Sequence, residues 1–477
     1  MAASSATLQK PTLNVEVRLR NNASSTAFLR TDLIREEVTD WLCKNFLSLK
    51  IDQELTGFDS LSHGDVIESI RVVDSSSALD SDASIHRLDE THLAVQAYEL
   101  HDAEDDPAPR PAKPSVGEEN EDEEESPQLR ITRLPSKSLN GLWDALVFED
   151  GIPAKLLKYT TRMMAMMRRP SLDMAVVSWN RLLLLHGPPG SGKTTLCRAL
   201  SQKLAIRLGH HFTQGRLVEV NSQTLLSRWF GESGKLVAKA FESICSVAED
   251  ESTLVCVLID EVETLTGSRE KASTGSECGD ALRATNQLLT ALDRLRYRSN
   301  VIVLCTSNLF GAIDSAFLDR VDIKQHVSNP CPKAAYEILR TCINELIRCN
   351  VLTPDDELCG TTNKGHTAAA AAAAEEDEET PHSFSDEAHM SDWDVVEYRS
   401  IPPLAVMDIH LWDRPDAPAR KLWGIAERCA GLSGRALRRL PGQAIALHTH
   451  GESCTVAEGL AALSVAVDEE LGATGGQ

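Results

Sequence analysis

Eight consecutive residues, Gly187-Pro188-Pro189-Gly190-Ser191-Gly192-Lys193-Thr194, have the types and spacing of a phosphate-binding loop, G-x-x-x-x-G-K-[ST]. Glycines let backbone N–H groups curl around phosphate oxygens, and the N-terminus of a following helix adds a favourable dipole. The spacing assigns Lys193 to the β- and γ-phosphates of ATP and the Thr194 hydroxyl to Mg²⁺, with Thr195 next in the same turn. A second string, Asp260-Glu261, ends the apolar run Leu254–Ile259. Asp260 suits a Mg²⁺ ligand acting mostly through water. Glu261 suits a group that orients and polarises an attacking water, which implies hydrolysis and not nucleotide storage. A Gly/Pro turn or an acidic strand end explains either string alone; finding both, each with the required flanks, counts against that.

Further candidates follow downstream. Asn308 ends the apolar run that begins at Val301 and fits a sensor contacting the γ-phosphate or the water. Arg320 stands where a neighbouring subunit would be in reach, and an arginine given in trans stabilises charge spread over the γ-oxygens; Lys324 is the weaker candidate. Arg435, in the basic first turn of a helix beginning near Gly434, opposes the helix dipole, which suggests a ligand anion that compensates it. Trp229 and Phe230 followed by Gly231 form an aromatic pair in a loop. In a ring of subunits such a pair would line a central pore and grip an extended polypeptide in a sequence-tolerant way.

These residues need a scaffold. Leu182–Leu185, Leu217–Val220, Leu254–Ile259 and Val301–Leu304 are short apolar runs separated by helix-length segments, the pattern of a parallel sheet covered on both faces. Leu196, Leu200 and Leu204 predict a helix directly after the loop. Beyond residue 331 the sequence reads as helical, over 334–348, 420–430, 434–446 and 456–471. Before the ATPase region, Leu13, Val15, Val17 and Leu19 alternate with Asn14, Glu16, Arg18 and Arg20 as in a half-buried strand. Thr31-Asp32 can cap a helix with Leu33, Ile34, Val38, Trp41, Leu42 and Phe46 on one face, and the runs 66–73 and 93–100 would complete a small α+β sheet. The domains expected are thus 1–101, an acidic disordered linker 102–130, an α/β ATPase subdomain 131–330 and a helical lid 331–477 with a disordered insert near 355–397.

The chain has 477 residues and a net charge of −23, with 42% hydrophobic residues, enough to bury a sizeable core. Residues 102–127 hold 11 acidic residues against two basic, and 355–397 hold 13 against one, so two solvated segments account for nearly all of the charge. Net charge therefore says little about nucleic acid; the motif set and the absence of a basic helix-turn-helix are what count against a DNA motor or loader. The 12 cysteines form no C-x-x-C pair, and Cys197, Cys256 and Cys305 lie in apolar runs, as small buried hydrophobes do; a reducing compartment is expected. No apolar run approaches the length of a membrane span, Met1–Ala6 begins no secretory signal, and the lack of H-E-x-x-H disfavours a fused metalloprotease.

The phosphate loop and carboxylate strand resemble those of AAA+ hexameric ATPases. The strings Asn140–Val147, Ser178–Arg181, Trp229–Lys235, Leu258–Glu263, Phe317–Lys324 and Gly431–Pro441 resemble more closely the pachytene checkpoint protein 2 family, across roughly 130–350 and 420–470 and more faintly the first 100 residues. That resemblance implies an AAA+ large subdomain with a C-terminal helical lid, and a homo-hexamer. It implies remodelling of HORMA-domain proteins from a closed to an open form by pulling a client segment through the pore, often through a HORMA-type adaptor received by the N-terminal domain. Meiotic chromosome-axis control and the spindle checkpoint, in nucleus and cytoplasm, would be the setting. Nucleic acid and membrane are not expected as partners. Ser191, Gly231 and the Ala/acidic insert depart from the family pattern, where Thr, Ser and a shorter lid segment are usual. A nucleotide-gated scaffold is the remaining alternative, which Lys193 and Glu261 together oppose.

Overall fold

A computed structural model describes residues 10–20, 31–76, 85–102, 129–148, 150–169, 173, 176–177, 179–225, 233–267, 278–353, 400–451 and 453–474. The proposed linker, apart from Asp102, Leu129 and Arg130, lies outside them, as do the proposed insert and the aromatic pair Trp229–Phe230 with Gly231. The chain divides into two compact units, Met1–Leu146 with Asp150–Val327, and Val147–Glu149 with Ser328–Gln477.

The first unit opens with β1 (Thr12–Leu19), α1 (Thr31–Asn45), β2 (Ser48–Lys50), β3 (Glu54–Leu55), β4 (Ile67–Ser75), β5 (Ile85–Arg87) and β6 (His92–Glu99). Four strands form a sheet in the order β3-β4-β1-β6, with β1 antiparallel to β4 and parallel to β6, while β2 and β5 pair separately. Ile34, Val38 and Leu42 of α1 pack against Val15, Val17, Ile70 and Val72. Leu33 does not join them: it is 43% exposed.

The opposite face of this sheet corrects the expectation of a half-buried strand. Asn14, Glu16 and Gln96 are each only 6% exposed. They lie under the helix that follows the phosphate loop, α3 below, through the Lys203–Glu16 ion pair at 2.8 Å and the pairing of Arg207 with Asp74. Asn14 donates to Asp74 Oδ1 at 2.7 Å and accepts from Gln96 Nε2 at 3.4 Å, while Gln96 Oε1 is buried without a hydrogen-bond partner.

The ATPase region runs β7 (Leu129–Leu134), α2 (Ile152–Met167), β8 (Leu182–His186), α3 (Lys193–Arg207), β9 (Gln214–Val220), α4 (Ser222–Leu225), α5 (Ser233–Val247), β10 (Thr253–Ile259), α6 (Cys278–Leu295), β11 (Val301–Ser307), α7 (Ser315–Asp319) and β12 (Ile323–His326). The sheet order is β12-β8-β11-β10-β9-β7, parallel except for β7, which runs antiparallel to β9. The apolar runs anticipated the four inner strands. Both edge strands escape that signal, because edge positions tolerate charge: β7 reads Leu-Arg-Ile-Thr-Arg-Leu and β12 reads Ile-Lys-Gln-His. Leu129 and Arg130 accordingly belong to the sheet and not to a linker.

Every residue of β10 and β11 is buried, as a strand flanked by helices on both faces must be. Burial pushes the Cys256 thiol up to about 12 and raises the Cys197 and Cys305 thiols well above the ordinary range, so these cysteines act as apolar filling. The helix α3 is buried along most of its length, since it lies between this sheet and the N-terminal one.

In the second unit, helices Pro332–Arg348, Pro418–Arg428, Gly434–His448 and Val456–Thr474 enclose Tyr336, Leu339, Leu422, Leu437 and Leu463. A two-stranded parallel pair, β13 (Leu352–Thr353) with β14 (Cys454–Thr455), and a π-helical turn, Met407–Leu411, add to the helices anticipated from the sequence. No helix among the described residues is long and apolar enough to cross a membrane.

The Lys203–Glu16 pair is nearly dry, with side chains 11% and 7% exposed. Lys203→Met should therefore lower unfolding stability by roughly 3 kcal/mol, because it strands a buried carboxylate, whereas the double change with Glu16→Leu should be close to neutral. Urea unfolding of the three proteins checks this.

Candidate functional site

The site forms at the C-terminal ends of three adjacent parallel strands, where open α/β sheets bind ligands. Strand β8 delivers the phosphate loop, β10 the carboxylates, and β11 runs between them. At the loop entrance Gly187 has φ +152, and a Cβ there would lie 2.1 Å from the Val327 carbonyl oxygen, so only glycine fits. Its N–H donates to the Ser307 carbonyl at 3.2 Å, which fastens the loop to β11. Gly192, at φ 95, turns the chain into α3.

Pro188, Pro189, Gly190 and Ser191 complete the loop, with Lys193, Thr194 and Thr195 in the first turn of α3. Lys193 is 5% exposed, and its ammonium donates back to the carbonyls of Gly187 at 2.9 Å and Pro188 at 2.7 Å. The Thr194 hydroxyl donates to Asp260 Oδ1 at 2.8 Å. A carboxylate and a hydroxyl so placed are oxygen donors of the kind a small hard cation takes.

The carboxylate strand ends on an unusual backbone. Glu261 sits at φ 52, ψ 52, the left-handed region, at a cost of about 1–2 kcal/mol for a residue with a Cβ. The turn Val262–Thr264 begins there: the Glu261 carbonyl accepts from the Thr264 N–H and hydroxyl, and its own N–H reaches the Thr306 hydroxyl at 3.2 Å. Asn308 is brought to the same place. Its Nδ2 lies 3.5 Å from Glu261 Oε1, and its N–H donates to Glu263 Oε1 at 2.9 Å. The sequence reading thus named five residues that converge here, Lys193, Thr194, Asp260, Glu261 and Asn308.

Three neighbours escaped it. Thr306, Glu263 and Ser222 each touch the carboxylate pair or its sensor, Ser222 by donating to the Asp260 carbonyl at 2.6 Å. Ser222 opens the helix α4 and Glu263 stands in a turn, places where polar residues are ordinary. Thr306 stands beside Ser307 at the end of a strand otherwise filled with Val, Ile, Leu and Cys, and nothing in its spacing points to Asp260 or Glu261.

Arg320 lies in the same unit but is engaged within the subunit. Its guanidinium makes a two-point pair with Asp293 of α6, both contacts 2.9 Å, and also donates to the Ala316 carbonyl at 2.7 Å. The Asp293 hydrogen bond leads the effects that raise the Arg320 pKa, so it stays cationic. Its backbone is held as well: Asn180 Nδ2 donates to the Arg320 carbonyl at 2.8 Å, and the Asp322 carboxylate accepts the N–H groups of Asn180 and Arg181. The guanidinium of Arg181 is buried, which lowers its pKa to about 10, and donates to the carbonyls of Leu295 and Arg296. Lys324 is exposed on edge strand β12.

Arg435 belongs to the second unit, exposed in the first turn of the helix Gly434–His448, whose N-cap Ser433 accepts from the Ala436 N–H. Arg439 pairs with Glu470 at 2.8 Å, a surface ion pair.

Comparisons with known proteins agree along the whole chain. Residues 183–329 match the model of the "ATPase family associated with various cellular activities (AAA)". Residues 8–103 match "TRIP13 N-terminal domain" and 387–471 match "TRIP13-like, AAA+ ATPase lid C-terminal domain". The pachytene checkpoint protein 2 homolog of Xenopus tropicalis is 36% identical over 422 residues, 88% of this chain and 85% of the relative. The Homo sapiens homolog is 33% identical over 467 residues, 97% of this chain and 94% of the relative. Among solved structures, that of C. elegans PCH-2 superposes with a TM-score of 0.68 at 26% identity, over 98% of this chain and all of that one. The chain is an ATPase and belongs to the pachytene checkpoint protein 2 family of AAA proteins.

Proposed function

We propose that the chain works as a homo-hexameric, Mg²⁺-dependent ATPase that remodels HORMA-domain proteins, converting a closed, partner-bound form to an open one. The observation that carries this reading is the convergence of Thr194, Asp260, Glu261 and Asn308 on one site, in a chain whose N-terminal region also matches the family's own N-terminal domain. The first half supports hydrolysis; the second supports delivery of a protein client.

On binding ATP, Lys193 would exchange its two loop carbonyls for β- and γ-phosphate oxygens, and the loop N–H groups would close around them. Thr194 and Asp260 are the residues to hold Mg²⁺, which neutralises charge on those oxygens. Glu261 polarises the water, and Asn308, beside it, holds that water or the γ-phosphate in line. Arg320, presented by a neighbouring subunit after release from Asp293, meets the developing charge, and Arg435 does so from the lid. Trp229 and Phe230, followed by Gly231, grip the client's N-terminal segment in the pore. The setting is meiotic axis control and the spindle checkpoint, in nucleus and cytoplasm, with the N-terminal domain receiving a client or HORMA-type adaptor.

Glu261→Gln should bind ATP as the unchanged chain does yet lose roughly 100-fold or more in turnover, since general-base catalysis contributes that much. Pulldown with this variant should retain a HORMA-domain protein; retention of DNA instead would point to a motor. Trp229→Ala should keep most basal turnover and abolish client conversion, measured as release of the client's partner. Arg320→Ala subunits mixed into wild-type rings should depress turnover by more than their share, because each disables a neighbour; a strictly proportional loss would place Arg320 in cis.

A further inference from the structure

Thr306 is the last residue but one of β11, two residues before Asn308, and is 1% exposed. The strand leading to it, Val301 to Cys305, is apolar and buried throughout, so a hydroxyl at this position has to be satisfied locally. It is satisfied twice over. The Thr306 hydroxyl donates to Asp260 Oδ1, the oxygen that also accepts from Thr194, and it accepts the backbone N–H of Glu261 at 3.2 Å.

The second bond matters most. Glu261 is among the four described non-glycine residues with a positive φ, and its N–H points at this hydroxyl. A strained backbone persists only where its surroundings over-determine it. Thr264 holds the carbonyl side of Glu261, while Thr306 holds the amide side and ties it to the neighbouring carboxylate.

We propose that Thr306 is a positioning residue for ATP hydrolysis. Its hydroxyl fixes the left-handed backbone at Glu261, and with it the aim of the Glu261 carboxylate, relative to Asp260 and Thr194. It does not touch the reacting atoms. The proposal rests on the reading of Glu261 as the group that polarises water.

The isosteric change Thr306→Val removes the hydroxyl and keeps the shape, whereas Thr306→Ser keeps the hydroxyl. For the valine variant kcat should fall by roughly 10- to 100-fold, the usual consequence of displacing a catalytic group by about an ångström. Its KM, and its Kd for a fluorescent ATP analogue measured by direct titration, should stay within about threefold of wild type, because the phosphate loop is intact. The serine variant should recover kcat to within about threefold. Amide exchange of the peptide containing Glu261 should speed up in the valine variant and not in the serine variant, a readout independent of turnover.

Wild-type kcat in the valine variant beside an inactive Glu261→Gln variant would overturn the role of Thr306 alone. If Glu261→Gln itself kept turnover, the reading of Glu261 would fail first. Equal slowing by valine and serine, or joint loss of ATP binding and thermal stability, would make Thr306 a packing residue and sink the proposal.

Discussion

One carboxylate oxygen organises the catalytic end of this molecule. Asp260 Oδ1 accepts hydroxyls from Thr194, on the helix that follows β8, and from Thr306, at the end of β11. Three adjacent strands therefore meet at a single acceptor. The meeting depends on sheet order: β11 lies between β8 and β10, so its last residues reach the phosphate loop on one side and the carboxylate pair on the other. Ser222 binds the carbonyl of the same residue, which ties the start of α4 to this point as well. The charge of Asp260 is shared between these two hydroxyl donors.

Much of this was legible in the sequence because the relevant physics is local. A phosphate loop needs its glycines and lysine within eight residues, and a buried parallel strand shows as an unbroken apolar run. The inner strands and the five converging residues follow from those two rules. The edge strands did not, because β7 and β12 carry Arg, Lys, Gln and His at partly exposed positions that break the apolar run. Nor did the braces. Thr306 and Glu263 matter through partners 45 or more residues away, and no spacing rule reaches that far. Arg320 shows the same limit from another side: Asp293, which holds it, is 27 residues distant and reads in sequence as an ordinary helix carboxylate.

The alternation in β1 taught something different. Its polar residues were correctly placed on one face, yet that face is not in water. Burial of Asn14, Glu16 and Gln96 under α3 is tertiary information, and a polar stripe looks the same in sequence whether solvent or a helix covers it. The helix gives a matching clue in its own pattern, since Lys203 and Arg207 stand one turn apart, but their partners are more than 130 residues away.

That polar contact sets how the N-terminal domain can part from its base. Had the sheet met α3 through leucines, separation would expose grease, with a large free-energy cost and a sticky surface left behind. Here it would expose two carboxylates, an asparagine and a glutamine, which water solvates readily. Exposing such a surface would not invite aggregation, and its charges would be screened by salt once in water. The helix under this sheet begins at Lys193 of the phosphate loop. The phosphate loop and the seat of the N-terminal sheet therefore share one helix of fifteen residues.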